Sequence, residues 1–390
     1  MNYHFYVPTR VFFGAGELNN LHTLKMPGKK ALLVISNGTS VRKNGALART
    51  EEQLKKAGVD WTLFPEIEAN PLKSTVMRGA KAARENGCDF VVALGGGSVM
   101  DASKAIAAMA TNDGDLWDYV VGGTGKGKPL SADALPLIAI TTTAGTGSEV
   151  DEYGVITNPE TKEKIGFGGH DSLFPVAAVV DPELMVSVPP KYTAYQGFDA
   201  LFHSLETYIC KFANPMSDMV SLTAIENIGK YLARAVADGN DLEARGHVAF
   251  ANTMSGYAMV VGGCTSEHSL EHAMSAYHQH LPHGAGLIMI SLAYYRHFIR
   301  VHACDERFVR MAQALGKKDA DKAEDFLTAL SDLQKACGVD ALKMSDYSIL
   351  PEEFPALAKN ARSAMGGLFA SDRIDLSEED CVRIYAESYR

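Results

Sequence analysis

The chain is poor in paired cysteines and in basic runs. Its six cysteines are scattered over 390 residues, and no two of them form a CxxC pair. A disulfide framework, a cysteine-rich zinc site and an iron–sulfur centre are therefore not expected. Acidic residues outnumber basic ones by 47 to 37, for a net charge of -10, and no long run of Lys or Arg occurs. This charge balance argues against nucleic acid as a partner.

Targeting and membrane signals are also missing. The first ten residues contain no apolar signal segment, so we expect a cytoplasmic protein with reduced thiols. The stretch 247–266 carries no formal charge and is long enough to span a membrane, but it contains Asn252, Thr253 and Ser255. A buried helix of a large core explains this stretch better than a membrane span.

The first half of the chain alternates short apolar runs with helical stretches. We predict strands over 30–35, 90–94, 135–141 and 177–180, and helices over 46–57 and 100–109. Alternation of this kind favours a parallel sheet with helices on both faces. Such a sheet binds its ligand at the carboxyl ends of the strands.

The second half changes character after Pro189 and Pro190. The apolar period there is almost wholly helical, with helices predicted over 200–211, 217–235, 242–259, 305–315 and 321–337. We therefore expect two domains: an α/β domain over residues 1–188 and an all-helical domain over residues 189–390.

A glycine-rich turn connects the predicted strand 90–94 to the helix that follows it. The turn is Gly95, Gly96, Gly97 and Ser98. Glycines let a ligand approach the backbone closely, and the helix N-terminus offers free N–H groups and a positive dipole end. These features favour a pyrophosphate cradle of a dinucleotide site, although a tight strand-to-helix turn would also need glycines. The Thr-rich loop 141–149 follows another strand, and it is either a second ligand loop or a simple connection.

Five metal-binding side chains recur at helical spacing in the second half. Asp199 and His203 lie four residues apart, His268 and His272 repeat this spacing, and His283 follows a short loop. Residues at i and i+4 share one face of a helix. An Asp with three imidazoles suits a divalent first-row metal such as iron or zinc.

Other polar residues near these five have plainer explanations. We interpret His278 and His280 as exposed loop histidines. Glu206 and Glu271 are candidates for carboxylates that support the metal ligands, although carboxylates on a helix surface are commoner.

A dinucleotide loop in one half and a metal cluster in the other predict one chemistry. The metal would act as a Lewis acid that favours the alkoxide form of an alcohol, and the hydride would pass to a nicotinamide. The reverse reaction would reduce an aldehyde.

Ordered motifs along the chain resemble the iron-containing (group III) alcohol dehydrogenase family. They are FFGAGEL at 12–18, ANP at 69–71, ALGGGSVMDASKAIA at 93–107, TTTAGTGSEV at 141–150, VDPEL at 180–184, GFDALFHSLE at 197–206 and HSLEHAMSA through PHG at 268–284. After about Tyr295 the resemblance rests on helical pattern alone.

The resemblance implies a Rossmann-like dinucleotide-binding domain followed by an all-helical metal-binding and catalytic domain, as in dehydroquinate synthase. It implies Fe²⁺, with Zn²⁺ as an alternative, held by Asp199, His203, His268 and His283, and a catalytic role for His272 next to the nicotinamide. It also implies cofactor contacts from these residues: Asn70, Gly96, Gly97, Ser98, Asp101, Thr142, Thr143, Thr146, Lys164 and Leu184. Family members are often dimers or larger, so we expect a homo-oligomer.

The sequence departs from the family pattern in two places. Where many NAD-using members have an acidic residue after the first strand, this chain has Ser36 and Asn37, with Arg42 and Lys43 close behind. This departure predicts NADP(H) over NAD(H), because small and cationic residues accommodate a 2′-phosphate. The second departure is a longer stretch between His272 and His283, which leaves His280 as an alternative metal ligand.

The leading hypothesis is a metal-dependent, NAD(P)H-linked alcohol dehydrogenase or aldehyde reductase for short primary alcohols or diols. The alternatives are a glycerol-type polyol dehydrogenase, a metal-dependent lyase of the dehydroquinate synthase kind and a non-enzymatic binding module. A lyase acting on a phosphorylated acid would need a basic pocket, and the sequence has no Lys/Arg cluster near the predicted ligands.

Overall fold

The computed structural model describes residues 3–390 and divides them into two compact units. The α/β unit comprises Val7–Thr161 and Ile165–Val188. The helical unit comprises Pro189–Arg390, the short segment Lys162–Lys164 and residues 3–6. The α/β sheet and the helical second half confirm the predicted fold class.

The α/β unit is built on a six-stranded, all-parallel sheet. Its strands are β1 (Arg10–Phe13), β2 (Lys30–Ser36), β3 (Asp60–Ile67), β4 (Phe90–Gly95), β5 (Leu137–Thr141) and β8 (Ala177–Val180), in the order β1-β8-β5-β4-β2-β3. A separate two-stranded sheet is formed by β6 (Gly154–Asn158) and β7 (Glu163–Phe167). The helices of the first half are α1 (Ser40–Lys43), α2 (Ala46–Lys56), α3 (Lys73–Glu85) and α4 (Gly97–Thr111).

The central strands show the burial expected of a parallel sheet with helices on both faces. Every residue of β4 and β5 is buried, which is typical of strands that pack helices on both faces. Alternate residues such as Leu33, Val92, Ile140 and Val179 form one apolar core. In the strand register, Gly95 pairs with Thr141 and Thr141 pairs with Val180, so the carboxyl ends of three neighbouring strands lie level.

The second half folds into a bundle of ten helices. They are α5 (Pro190–Ile209), α6 (Pro215–Ala237), α7 (Leu242–Gly262), α8 (Ser266–Tyr277), α9 (His283–Arg300), α10 (Asp305–Ala314), α11 (Glu324–Ala336), α12 (Phe354–Ala364), α13 (Gly366–Phe369) and α14 (Glu378–Ser388). In both halves of the described chain there are also short 3₁₀ helices, at Glu17–Thr23, Leu116–Asp118, Asp171–Leu173, Pro182–Met185, Met344–Tyr347 and Pro351–Glu353. In the part of the chain that the structure describes, no helix has the length and apolar character needed to cross a membrane.

Several elements differ from the sequence prediction in their bounds. The helix after the glycine turn begins at Gly97 rather than at residue 100, and α5 begins at Pro190 rather than at residue 200. Proline is well tolerated in the first helical turn, because its missing N–H would have no intrahelical partner there. Strands β1 and β3 were not predicted; both lie at edges of the sheet and are partly exposed, so their apolar pattern is weak.

Candidate metal centre and cofactor loop

Three helices bring the predicted metal ligands together. Asp199 and His203 lie one turn apart on α5, His268 lies on α8, and His283 is the first residue of α9. The side chains of the first three are nearly inaccessible to solvent, with 7%, 9% and 5% exposed, whereas 22% of the His283 side chain is exposed. The cluster is therefore buried except at one side.

One carboxylate oxygen is the focus of the cluster. Asp199 Oδ1 lies 3.4 Å from His268 Nε2, 3.4 Å from His283 Nε2 and 3.6 Å from His203 Nδ1. These distances exceed the usual N–H···O range of about 2.7–3.2 Å. Two donors, each about 2.1 Å from a tetrahedral metal ion, would lie roughly 3.4 Å apart. The donor set and its spacing therefore fit a divalent metal ion.

Two buried carboxylates orient two of the imidazoles. His268 Nδ1 donates to Glu206 Oε1, and His283 Nδ1 donates to Glu271 Oε2. Because each Nδ1 is bonded to a carboxylate, each Nε2 is the ring atom that faces Asp199 and is left to bind a metal ion. Both glutamates are fully buried, so the interpretation of them as ordinary helix-surface carboxylates is wrong.

The electric field in the cluster favours positive charge. Burial opposes ionisation of Asp199, yet His203 and His283 outweigh it and hold the pKa of Asp199 well below its usual range. Burial also opposes protonation of His268, but Glu206 and Asp199 raise the pKa of His268 to about 10. A site whose field stabilises a cation at the imidazoles suits a metal ion that replaces those protons.

A glycine gives α9 the close approach that the cluster needs. A Cβ atom on Gly284 would lie 2.2 Å from the backbone oxygen of Tyr195 in α5. Neither backbone could accept such a contact without moving. The Gly after His283 in the PHG motif therefore lets the start of α9 pack against α5.

His272 lies beside the cluster on the next turn of α8. Its ring centroid is 5.2 Å from that of His283 and 6.1 Å from that of His268, and its Nδ1 lies 2.9 Å from the Met365 sulfur. Burial, together with Lys164 and His283, lowers the pKa of His272 well below its usual range. The ring is therefore neutral at physiological pH and can both donate and accept a proton.

The two loop histidines lie outside the cluster. His278 is half-buried rather than exposed, and its Nε2 lies 3.1 Å from Glu353 Oε2. His280 is exposed in the turn before α9, and it belongs to none of the potential metal-ligand groups within residues 3–390. The structure therefore does not support His280 as an alternative to His283.

Lys164 belongs with the helical unit. Its ammonium group donates to Ser275 Oγ at 2.9 Å and lies 3.4 Å from Glu271 Oε2, and the side chain is almost fully buried. In this position Lys164 balances the charge of the carboxylate that orients His283. A contact from Lys164 to a cofactor stays a prediction.

In the α/β unit, the glycine turn packs closely against the Thr-rich loop. A Cβ on Gly96 would lie 2.8 Å from Thr143 Oγ1, and a Cβ on Gly97 would lie 2.2 Å from Thr146 Cγ2. The N–H of Thr142 donates to the carbonyl of Gly95 at 2.9 Å. No side chain caps the first turn of α4. The N–H groups of Val99 and Met100 donate to the carbonyl of Gly96, which leaves those of Gly97 and Ser98 as candidates for a ligand. These two loops, residues 95–98 and 142–146, are the candidate cofactor site and are called the cofactor cradle below.

A buried polar network that sequence reasoning missed lies behind the cradle. Lys104 on α4 is fully buried, and its ammonium donates to Ser148 Oγ at 2.8 Å and to Asp151 Oδ1 at 2.6 Å. Ser148 Oγ in turn donates to Asp101 Oδ1 at 2.7 Å, and the N–H of Val155 donates to Asp101 Oδ2 at 2.9 Å. Both Asp101 oxygens therefore have protein partners, which ties α4 to residues 148–155.

Among the other predicted cofactor residues, Ser36 lies level with Gly95 at the carboxyl edge of the sheet, because Val34 pairs with Ala93. Ser36 ends β2, and the N–H of Asn37 donates to the carbonyl of Ile67 on the neighbouring β3. Asn70 has a left-handed backbone, with φ of 54°. Leu184 is buried in the apolar core of the sheet, so its side chain packs against strands, and only its backbone is left for a cofactor contact.

Comparisons with known proteins identify the family. The model of the iron-containing alcohol dehydrogenases matches residues 8–182, and the model of the C-terminal region of the same family matches residues 193–389. The chain is 32% identical to a 1,3-propanediol dehydrogenase of Klebsiella pneumoniae over 98% of both chains. It is 34% identical to an NAD-dependent methanol dehydrogenase of Bacillus methanolicus over 92% of both.

A solved structure agrees with this assignment. An archaeal halo-thermophilic alcohol dehydrogenase from a Red Sea brine pool superimposes with a TM-score of 0.94 at 36% identity, covering 100% of this chain and 99% of that one. The protein is therefore an oxidoreductase, and it belongs to the iron-containing alcohol dehydrogenase family.

Proposed function

We propose that the protein interconverts short primary alcohols or diols and their aldehydes, using a metal ion and a nicotinamide dinucleotide. The observation that carries the proposal is the convergence of three imidazole nitrogens on Asp199 Oδ1 at 3.4–3.6 Å. The similarity to a 1,3-propanediol dehydrogenase and a methanol dehydrogenase supports this substrate class.

In this proposal the metal ligands are Asp199, His203, His268 and His283. An iron or zinc ion would supply Lewis-acid polarisation of the alcohol or carbonyl oxygen. Glu206 and Glu271 accept the Nδ1 protons of His268 and His283, which orients the two rings so that each Nε2 faces the metal position. His272 is neutral and accepts the hydroxyl proton of the alcohol, or returns it to the product of aldehyde reduction.

We assign the cofactor to the α/β unit. The N–H groups of Gly97 and Ser98 at the start of α4 bind the pyrophosphate, and the close packing of Gly96 and Gly97 against Thr143 and Thr146 holds the turn in place. Thr143 and Thr146 line the same cradle. By this assignment residues 1–188 bind the dinucleotide, and residues 189–390 bind the metal and carry the acid–base chemistry.

The finer cofactor proposal is NADP(H) over NAD(H). It rests on Ser36 at the end of β2 and on the cations Arg42 and Lys43 in α1, since no carboxylate at residue 36 or 37 repels a 2′-phosphate. The Bacillus methanolicus relative is named NAD-dependent, so the preference distinguishes this chain from it. Ser36→Asp should shift the NADP/NAD ratio of kcat/KM toward NAD by about tenfold; an unchanged ratio contradicts the proposal.

We also propose a homo-oligomer. Among the described residues, β1 and β3 are the edge strands of the sheet. Such an edge is a template for pairing with a second chain. The molar mass in solution, measured by light scattering, tests this proposal; the mass of a single chain contradicts it.

The test of the proposed function is metal-restored activity. Chelator-stripped protein is refilled anaerobically with iron(II) or zinc and assayed for NADPH and NADH oxidation with butanal, and for the reverse reaction with 1,3-propanediol and glycerol. We expect metal to restore turnover and His268→Ala to abolish it. His280→Ala is the matched control, because His280 is an exposed histidine outside the cluster, and it should behave as the wild type.

Three results would count against the proposal. Full turnover without metal would exclude the metal-dependent mechanism, and a His268→Ala variant that turns over normally would exclude the assigned ligands. No hydride transfer with any short aldehyde would favour the lyase or binding-module alternatives. Turnover with glycerol but not with butanal would favour the polyol dehydrogenase.

A further inference from the structure

A cysteine borders the proposed metal ligands. Cys264 lies in the short link between α7, which ends at Gly262, and α8, which begins at Ser266. Its side chain is partly exposed. Sequence analysis did not single it out, because it lies in neither the GFDALFHSLE motif nor the HSLEHAMSA motif.

The link that carries Cys264 is fixed on both sides to α5. Thr207 Oγ1 donates to the carbonyl of Gly263 at 2.8 Å, and the N–H of Thr265 donates to Glu206 Oε2 at 2.8 Å. Glu206 is the same carboxylate that orients His268. Gly263 and Thr265, on either side of Cys264, are therefore held to α5 one turn after His203. Helix α5 carries two of the proposed ligands, so the same helix sets the position of the thiol.

The sulfur lies within reach of two buried imidazoles. Cys264 Sγ and one nitrogen each of His203 and His268 all lie within 4.8 Å of one another. A change of χ1 rotamer moves a cysteine sulfur by about 3 Å, so Sγ can turn toward an ion bound by one nitrogen of each ring. The His203 and His268 rings are stacked with centroids 4.1 Å apart, so their positions are already fixed.

The other five cysteines lie in no such group of potential ligands within residues 3–390. Burial raises the pKa of Cys304 to about 11 and the pKa of Cys337 to about 12, so neither forms a thiolate readily.

The donor chemistry distinguishes two ligand sets that share two imidazoles. Asp199, His203, His268 and His283 offer one oxygen and three nitrogens, which iron(II) accepts readily. His203, His268 and Cys264 offer two nitrogens and a sulfur, which favours thiophilic ions. We propose that Cys264 is a further metal ligand, which binds zinc, cadmium or cobalt(II) together with His203 and His268. This inference rests on the proposed metal centre and adds a residue that selects among metals.

Cobalt(II) is the probe for the test, because its absorption reports the ligand types. One equivalent is added anaerobically to the chelator-stripped, full-length protein. We expect visible ligand-field bands from the bound ion and a near-ultraviolet sulfur-to-cobalt charge-transfer band. Cys264→Ser and Cys264→Ala should lose the charge-transfer band and keep the visible bands. Cys304→Ser is the matched control and should keep both.

The outcomes separate this inference from the proposed function. Visible bands without a charge-transfer band in the wild type, or a band that persists in both Cys264 variants, would overturn the sulfur ligand and leave the metal centre intact. A protein that binds no cobalt would overturn the metal centre and this inference with it.

A competition experiment gives a second readout. Stripped protein is exposed to equal iron(II) and zinc, and its metal content is measured by elemental analysis. Cys264→Ser should lower the bound zinc-to-iron ratio by about tenfold or more, since loss of a ligand costs at least as much affinity as loss of a supporting residue. An unchanged ratio would contradict the proposal.

Discussion

The two proposed sites of this protein differ in whether backbone or side-chain atoms form them. The cofactor cradle of the α/β unit is made of backbone, and its glycines matter because they lack side chains: a Cβ on Gly97 would collide with Thr146 at 2.2 Å. The metal cluster of the helical unit is made of side chains, with three imidazoles around Asp199. Addition of atoms should therefore damage the first site, and removal of atoms the second.

The two sites also differ in how they are supported. The cradle is backed by a buried Lys104 that binds Ser148 and Asp151. The cluster is backed by two buried carboxylates, Glu206 and Glu271, that each bind an imidazole. In both sites a buried charged residue supports the structure around the proposed ligand-binding groups without being one of them. The following predictions test each part of this comparison in turn.

The largest expected effect is on the cradle. Gly97→Ala places a methyl group on Thr146, and the loops must move apart to relieve it. Overpacking of this kind costs about 1–3 kcal/mol, so we expect the dissociation constant of NADPH to rise by about 100-fold. Fluorescence titration of NADPH measures the affinity, and elemental analysis should show unchanged metal content.

The Gly97 variant has a control and a rescue. Gly367→Ala is the control, because a Cβ there meets no atom within 4 Å. Adding Thr146→Ser to Gly97→Ala removes the atom that makes the closest contact, and it should recover part of the affinity. Wild-type NADPH affinity in Gly97→Ala would contradict the proposed cradle.

The second effect is a pH dependence of stability. Burial raises the pKa of Asp101 to about 6, against the opposing effects of Lys104 and of its hydrogen bonds. The folded state therefore holds this proton more tightly than the unfolded state, and the contribution of Asp101 to stability falls as pH rises through this range. Between about pH 4 and pH 7 the loss is about 2 kcal/mol.

Asp101→Asn isolates this contribution, because asparagine does not titrate. The free energy of unfolding of the variant, from denaturant titration, should rise relative to the wild type by about 2 kcal/mol over the same pH range. Titrations elsewhere cancel in this difference. The exposed Asp133→Asn serves as the control. Parallel curves of unfolding free energy against pH for Asp101→Asn and the wild type would show that burial does not raise the pKa of Asp101.

The smallest effect concerns a supporting carboxylate of the metal cluster. Glu271→Gln removes the charge that orients His283, so metal affinity should fall by about tenfold while NADPH affinity stays unchanged. Competition with a chelator measures the metal affinity. Glu353→Gln is the matched control, since Glu353 pairs with His278 outside the cluster. Equal metal affinity in the two variants would show that Glu271 does not support the metal ligands.

The metal cluster was largely predictable because local geometry carries it. Asp199 and His203 share a helix face by their spacing, so the sequence alone indicates a pair of ligands. The parallel sheet was predictable for a similar reason, since β4 and β5 are short buried runs that stand out from their flanks. In each case the signal spans only a few residues.

Glu206 and Glu271 were named from the sequence as candidate supporting carboxylates, but the partner of Glu206 and the Lys104 network were not predictable, because these contacts are remote in sequence. Glu206 is 62 residues away from His268, and Lys104 is 47 residues away from Asp151, and neither pair has a local pattern. Cys264 escaped notice for the same reason, since its neighbours in space come from α5. One signal for Lys104 was available: it and Asp101 are the only charged residues in the stretch 100–109, where Ala, Ile and Met predominate, which suggests a buried charge with a partner.

The most direct test of the metal centre is the position of the ion itself. Crystals of protein refilled with iron(II), measured at the iron absorption edge, give an anomalous difference map. We predict a single peak at about 2.0–2.2 Å from the ligand atoms of Asp199, His203, His268 and His283. A peak elsewhere, or no peak in crystals of a catalytically active preparation, would contradict the assigned site.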